Sequence, residues 1–438
     1  MTGETFGHDF KQKYFSYLNP GAVPVNHGSF GAAPACVIDK QESLCEEVED
    51  YPDQLMFVDL KSKYVDQLKS LGEYLNIDYH NLALVTNTTV GVNTVLRSFP
   101  WDFNKDKLLF HSTSFQSCQN TVRFLSEYFG LRFDVVELAY PLEDAEVVAK
   151  FEAKLSTGEY RLCMFDMITS MPGVRLPYEQ LTKLCQKYNV LSLLDGAHSA
   201  GQVDLRFLDE IQPDFMSANL HKWLFTPRSS GILYVNPKHH AVIQSLPISS
   251  QFTAEICHPI AEPVNEQQRN HNREILINKF YFTASVSYYQ YFCVKTAIEF
   301  RRVICGGEKK IHEYQSELRK DAIDAVIDIF GPGAKLMENS TKTLAIPGMF
   351  NVSLPLRPEF KPVLSKALSN YDYSCKLKAK CEKIAITEKK FAPVAFHNDK
   401  LWVRFSVQIY NELEDYKLVA QRIKEAVETA FWNEYNIL

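Results

Sequence analysis

Residues 191–235 read LSLLDGAHSAGQVDLRFLDEIQPDFMSANLHKWLFTPRSSGILYV. The apolar run Val190 to Leu194 stops at Asp195, and a second apolar stretch stops at Asn219-Leu220-His221-Lys222-Trp223. Short apolar runs bounded by turn residues read as buried strands. Asp195 and Lys222 therefore stand where strands end, which is where open α/β sheets place ligands. A salt bridge at two strand ends would account for these two residues alone. It accounts poorly for His198, His221 and the Gly-Ala-His-Ser-Ala-Gly run at 196–201.

An acid and a lysine at neighbouring strand ends suit pyridoxal 5′-phosphate. The amine joins the cofactor's aldehyde, and the acid keeps the ring nitrogen protonated so that the ring takes up electrons. The stretch DGAHSAGQ (195–202) followed by HKW (221–223) resembles the class V aminotransferase family of fold-type I pyridoxal phosphate enzymes. Within it the resemblance is to the isopenicillin N epimerase-like branch, which includes cysteine desulfhydrases and hercynylcysteine sulfoxide lyases of ergothioneine biosynthesis. It runs from about Asn26 to about Tyr410. The resemblance implies an α/β fold: a large domain on a mostly parallel seven-stranded sheet, and a smaller α+β C-terminal domain. It also implies a small amino-acid substrate and a homodimer with shared active sites. By the same resemblance His198 lies near the ring's phenolic oxygen and His221 contacts the phosphate.

The chain has 438 residues, 46% hydrophobic and 13% aromatic, enough for two domains around a sizeable core. A net charge of −6 offers no electrostatic case for nucleic acid. No stretch approaches the ~18 apolar residues that span a bilayer, and the opening MTGETFGHDF carries no signal pattern. Ten cysteines are scattered singly with no C-x-x-C, so reduced thiols in the cytoplasm are expected, with no metal site.

Taken in order, residues 9–18 suggest a short helix, and VNHGSFGAAP (25–34) a glycine-broken loop that lets backbone approach something closely. In the resembled branch this loop borders the active site, which makes His27 a candidate substrate contact. Residues 36–76 look helical with a break at Pro52, and Leu82 to Val85 reads as a strand. Asn87, Thr88 and Thr89 then open a helix whose apolar face is Val92, Val95, Leu96 and Phe99. Free amides at such an end bind phosphate, and the resemblance assigns Thr88 and Thr89 to the cofactor phosphate. Leu108 to His111 is the next strand. Phe115 opens a helix to about Phe129, and by resemblance its ring stacks on the pyridine. Alternating strands and helices argue for a parallel sheet. Ile168-Thr169-Ser170 falls at a strand end and by resemblance matches the family's substrate-side loop, with Ser170 a candidate to bond either the cofactor's phenolic oxygen or the substrate. Arg228, in TPRSSG, is a further anion-binding candidate.

Residues 247–280 are polar and weakly periodic, which suggests a long loop acting as a lid. At 284–287 the chain carries Ala-Ser-Val-Ser where relatives carry Gly-Thr and a following Asp. Ser285 keeps the hydroxyl that reaches the partner subunit's cofactor phosphate. Gly306-Gly307 marks a boundary, so the expected division is a segment 1–34, a large domain 35–305 and a small domain 306–438. In the small domain, 344–354 and 400–410 read as strands and 412–432 as a last helix. Arg404 alternates with apolar residues on a buried-looking strand. A buried guanidinium requires an anionic partner, and by resemblance Arg404 holds the substrate's α-carboxylate.

The expected mechanism has Lys222 as general base, Asp195 as the ring's counter-charge and Arg404 as the carboxylate clamp. Branch resemblance favours β-elimination of sulfur from a cysteine-type substrate, giving pyruvate and ammonia. An aminotransferase or epimerase of the same family is the alternative, but epimerisation needs a second acid–base group and Phe115 supplies none. Cysteine desulfurase chemistry is disfavoured, because Cys375 and Cys381 lie in a Lys-rich stretch unlike that family's loop. No G-x-G-x-x-G or G-x-x-x-x-G-K supports a nucleotide enzyme.

Overall fold

The structure, a computed structural model, describes residues 4–252 and 266–436. Seven strands form one sheet: β1 (Leu82–Val85), β2 (Lys107–His111), β3 (Arg132–Val136), β4 (Leu162–Asp166), β5 (Leu191–Asp195), β6 (Phe215–Asn219) and β7 (Gly231–Val235). Their order is β1-β7-β6-β5-β4-β2-β3, and only β7 runs antiparallel to its neighbours. β1, β4, β6 and β7 are buried along their whole length, as expected of a sheet covered by helices on both faces. This is why they read as unbroken apolar runs rather than as alternating ones.

Parallel pairing has one consequence for the site. It brings the C-terminal ends of β4, β5 and β6 to one side of the sheet. Asp166 is the register partner of Asp195, and Asp195 that of Ser217. Two carboxylates and an amide, Asn219, therefore end three adjacent strands.

Three antiparallel strands make a second sheet in the order β8 (Met349–Ser353), β10 (Lys400–Ser406), β9 (Val394–His397). The helices Glu308–Phe330 and Leu413–Tyr435 pack on it and bury Ala322, Val326, Val419, Ile423 and Val427 with Phe350 and Phe405. A separate apolar cluster joins the N-terminal Phe6, Phe10 and Phe15 to Phe225, Phe300, Ile409 and Tyr410. The first residues are thus tied between the lysine-bearing segment and the end of the small sheet.

Two expectations about elements need correction, and one pair of helices was not expected. The lid expected over 247–280 includes a helix, Glu266–Phe280. Its last turns bury Ile275, Leu276, Ile277 and Phe280, and it packs against β1. The segment reads as a loop because its first half is polar with no apolar stripe; residues 253–265 lie outside the described residues. The strand expected over 344–354 is confined to Met349–Ser353, since Pro347 and Gly348 precede it. Two helices over Lys361–Ser369 and Tyr371–Ile386 had no clear sequence signal. The second buries only Leu377, Cys381 and Ala385, one residue per turn, among many lysines.

Candidate active site

The strand ends frame a cavity of about 310 Å³. Among its lining residues are Asn87, Thr88 and Thr89 after β1, Phe115 and Asp166, Ser170, Asp195 and His198, and Asn219, His221 and Lys222. Arg228, Ser29 and Phe30 complete much of the rim. The structure thus brings Lys222, Asp195, His198, His221, Thr88, Thr89, Phe115, Ser170 and Arg228 together, although they span more than a hundred positions of chain.

Lys222 sits in a single helical turn, Leu220–Trp223, and is 9% exposed. Burial and then the charge of Arg404 pull its amine well below the ordinary lysine range. Its Nζ lies 3.2 Å from His198 Nε2. The other ring nitrogen of His198 accepts from the Trp223 indole N–H at 3.3 Å. An indole only donates, so His198 carries its proton on Nε2 and offers it to the lysine. The amine must then present a lone pair, the form a nucleophile or base needs. Burial and the Lys222 charge hold His198 well below the usual histidine value, so it is neutral.

Asp195 ends β5, is 2% exposed, and accepts from the Ala197 amide at 2.9 Å and from the Cys118 thiol at 3.3 Å. Burial first, and the charge of Asp166 second, raise its proton affinity. A protonated ring nitrogen brought against it is the kind of charge that would restore the carboxylate.

The helix Thr88–Ser98 begins at the cavity. Asn87 caps it by accepting from the Val90 amide at 2.9 Å. The Thr88 amide is held by Asn219 Oδ1 at 2.9 Å. Thr88 Oγ1 is buried without a partner, and a buried hydroxyl left unpaired costs free energy unless a ligand meets it. His221 donates through Nδ1 to the Ser230 carbonyl at 2.9 Å, and burial lowers it to about 4. A bound phosphate would favour its imidazolium form. Unpaired Thr88, the helix start, His221 and Arg228 suit a phosphate; Asp195 beyond them suits a pyridine nitrogen. The residues present fit pyridoxal 5′-phosphate.

Arg404 lies one layer behind the cavity and is 1% exposed. It donates to the Ser170 carbonyl at 2.6 Å, and to Asn26 Oδ1 and Ser29 Oγ at 2.8 Å each. Its Nε has no partner. All its bonded partners are neutral, and no described carboxylate lies within ion-pair distance of it. A buried guanidinium in that condition is short of an anion. Burial lowers its affinity for its proton to about 10.

His27, the candidate substrate contact, does not line the cavity. It is 3% exposed, bonds Tyr410 OH at 2.8 Å, and meets the backbone carbonyl of Lys222 at 2.5 Å. Its ring faces Trp223 and Phe225, and burial lowers it to about 3. The glycine loop does approach closely, but what it approaches is the lysine's own turn. A Cβ on Gly31, at φ +68°, would lie 1.8 Å from the His221 carbonyl oxygen. Ser285 is exposed and does not line the cavity of its own chain. Asp166, Asn219, Cys118 and Ser29 were missed from sequence. Asp166 had a usable signal: Phe165-Asp166 ends an apolar run just as Leu194-Asp195 does.

Fold and site together define a fold-type I pyridoxal phosphate enzyme. The chain belongs to the aminotransferase class-V family, whose model matches residues 35–270. It is 29% identical over 352 residues to the hercynylcysteine sulfoxide lyase of Schizosaccharomyces pombe, covering 80% of this chain and 84% of that one. It is 28% identical over 436 residues to the L-cysteine desulfhydrase-like protein lolT1 of Epichloe uncinata, covering 93% of each. The fold is similar to that of the cystine C–S lyase C-DES, solved with its product cysteine persulfide. There the TM-score is 0.71 at 16% identity, over 92% of this chain and 97% of the other.

Proposed function

We propose that this protein is a pyridoxal 5′-phosphate-dependent carbon–sulfur lyase acting on cysteine or a cysteine conjugate. The observation that carries it is the pairing of a buried Lys222 with Asp195 in one cavity, backed by an Arg404 that lacks an anion. The lyase outcome is supported by the relatives named above.

When bound, the cofactor supplies an aldehyde to hold an amine and a ring that accepts the electron pair left at Cα. Thr88, Thr89, His221 and Arg228 hold its phosphate. Phe115, 43% exposed at the cavity rim, covers one face of the ring. Asp195 holds a proton at the ring nitrogen. Arg404, with Ser29 and Asn26, fixes the substrate's α-carboxylate, and Ser170 faces the substrate side. Lys222 takes the proton from Cα; His198 keeps its amine oriented. The bond from Cβ to sulfur then breaks and the sulfur leaves with the proton that Lys222 took, as hydrogen sulfide from cysteine, a persulfide from cystine or a sulfenic acid from a sulfoxide conjugate. Addition of water to the remaining three-carbon fragment gives pyruvate and ammonia.

Phe115 carries no titratable group, so the second proton carrier of an epimerase is missing from that face. Among the described residues no cysteine lines the cavity, and Cys375 is an exposed residue on the helix Tyr371–Ile386; Cys257 lies outside the described residues. We take the active form to be a cytoplasmic homodimer in which Ser285 reaches the partner's cofactor phosphate. Among the described residues no helix is long and apolar enough to cross a membrane. The two apolar cores support a division into a large unit at 35–305 and a small one at 306–438, with 1–34 as a tie between them.

The test is direct. Borohydride reduction of the cofactor-loaded protein followed by peptide mapping should label Lys222 alone. Purified protein should release pyruvate from cysteine, cystine or a cysteine-conjugate sulfoxide. Amino transfer to an oxo acid, with pyruvate from none of these, would overturn the lyase assignment.

A further inference from the structure

Beneath the cavity a second carboxylate lies beside Asp195. Asp166 is its register partner on the adjacent parallel strand, is 2% exposed, and lines the same cavity. Neighbouring strands are about 4.8 Å apart, so two such side chains share one small volume. Two bare carboxylates there would repel, and the charge of Asp166 is one of the causes that raise the proton affinity of Asp195. That conflicts with the task of Asp195, which must stay anionic to hold a protonated ring nitrogen.

His111, at the end of β2, addresses this conflict. It is fully buried, and its Nε2 lies 3.1 Å from Asp166 Oδ1 and 3.2 Å from the Asp166 amide. Its Nδ1 lies 3.0 Å from Thr113 Oγ1, which lies 3.1 Å from Tyr140 OH. The Tyr140 amide in turn donates to His397 Nε2 at 2.7 Å, on β9 of the small sheet. The ring is therefore fixed at both nitrogens, and its support reaches across to the other unit. Three proton placements satisfy the contact with Asp166: an imidazolium against a carboxylate, a neutral imidazole accepting from a carboxylic acid, or a neutral imidazole donating from Nε2 to a carboxylate, and only the first two leave the pair without net charge. The Asp166 amide N–H donates to the same Nε2 at 3.2 Å, which requires a lone pair there and selects the neutral imidazole against a carboxylic acid, a pair with no net charge. The other groups facing Asp195 are the Cys118 thiol from the helix Gln116–Phe129 and Lys222 from the turn after β6.

We propose that His111 and Asp166 are positioning residues for Asp195: the imidazole neutralises the second carboxylate, so that Asp195 keeps its own charge for the cofactor's ring nitrogen. The proposal rests on the pyridoxal phosphate reading above. It predicts an ordering that packing alone does not. His111→Gln leaves Asp166 as an unneutralised neighbour and should weaken the grip on the ring. Asp166→Asn removes the charge that needed neutralising and should be mild. The double variant should recover what His111→Gln lost.

The experiment is titration of each cofactor-free protein with pyridoxal phosphate, following absorbance and its dependence on pH. His111→Gln should raise the dissociation constant about tenfold, the factor carried by one pKa unit, and shift the pH at which the bound cofactor's absorbance changes. Asp166→Asn and the double variant should both lie within about twofold of wild type. If His111→Gln does not fold but the double variant folds and binds, the charge conflict is read from that rescue. Equal weakening in the single and double variants, or failure of the double variant to fold, overturns the proposal. A wild-type protein that binds no pyridoxal phosphate sinks the cofactor reading itself. Binding by wild type with His111→Gln unchanged sinks only the neutralised pair.

Discussion

At the scale of single residues, burial sets the chemistry. Lys222 is reactive because the protein removes water from it and places Arg404 nearby, both of which disfavour its charge. Its folded value lies below the ordinary ~10.4 of lysine, so the amine loses its proton at lower pH than an exposed one. Initial rates should therefore rise with pH through that lowered value and level off below the ordinary lysine range. A profile that keeps climbing to pH 10 would show an amine that the fold does not perturb. Arg404 makes a second prediction. Its planar fork bonds three neutral acceptors and leaves Nε open. Lysine keeps the charge but not the fork. Arg404→Lys should raise KM about 30- to 100-fold, as expected for loss of a charge-assisted bidentate contact worth ~2–3 kcal/mol, with a smaller effect on kcat. Steady-state kinetics on the best sulfur amino acid separates the two.

At the scale of elements, the glycine loop and the lysine turn behave as one part. Gly31 combines a positive φ with a carbonyl oxygen where a Cβ would go. Neither alternative backbone nor side-chain rotation relieves that collision, because the obstacle is the His221 backbone. Gly31→Ala should therefore cost at least ~2 kcal/mol, seen as a lower urea midpoint, and should reduce cofactor occupancy as the turn shifts. The start of the helix Thr88–Ser98 is a milder case. Thr88→Val keeps shape and removes only the unpartnered hydroxyl. It should weaken pyridoxal phosphate binding by about tenfold, while leaving the melting temperature of the cofactor-free protein unchanged or raised. A lowered melting temperature would mean that the hydroxyl serves the fold instead.

For the whole molecule, the sign of the pH dependence of stability follows from its histidines. His27 is lowered to about 3, and His221, His240 and His397 each to about 4, all with burial as the first cause; His198 is lowered for the same reason. The unfolded chain binds protons at these groups near 6.5, where the folded chain does not. Stability therefore rises with pH across roughly 4 to 6.5 and falls as pH drops through that window. Asp195 and Glu382, raised in the fold, oppose this, but they are two groups against five. The melting temperature of the cofactor-free protein should fall steadily from pH 6.5 to 4.5. A flat profile there would mean that these rings are not buried neutral.

Much of this was present in one dimension. Asp195 and Lys222 were legible because parallel strands buried on both faces read as unbroken apolar runs, and a charge ending such a run has few structural uses. The Asn-Thr-Thr helix start and the buried alternation around Arg404 were legible for similar local reasons. The tertiary structure alone decided three matters. It put Asp166 beside Asp195, since strand register joins residues far apart in the chain. It made His27, a candidate substrate contact, a prop for the lysine's backbone, since which way a loop histidine faces depends on what packs over it. It also made a helix of 266–280, whose polar first half hides an apolar end that finds its partner only in the folded sheet.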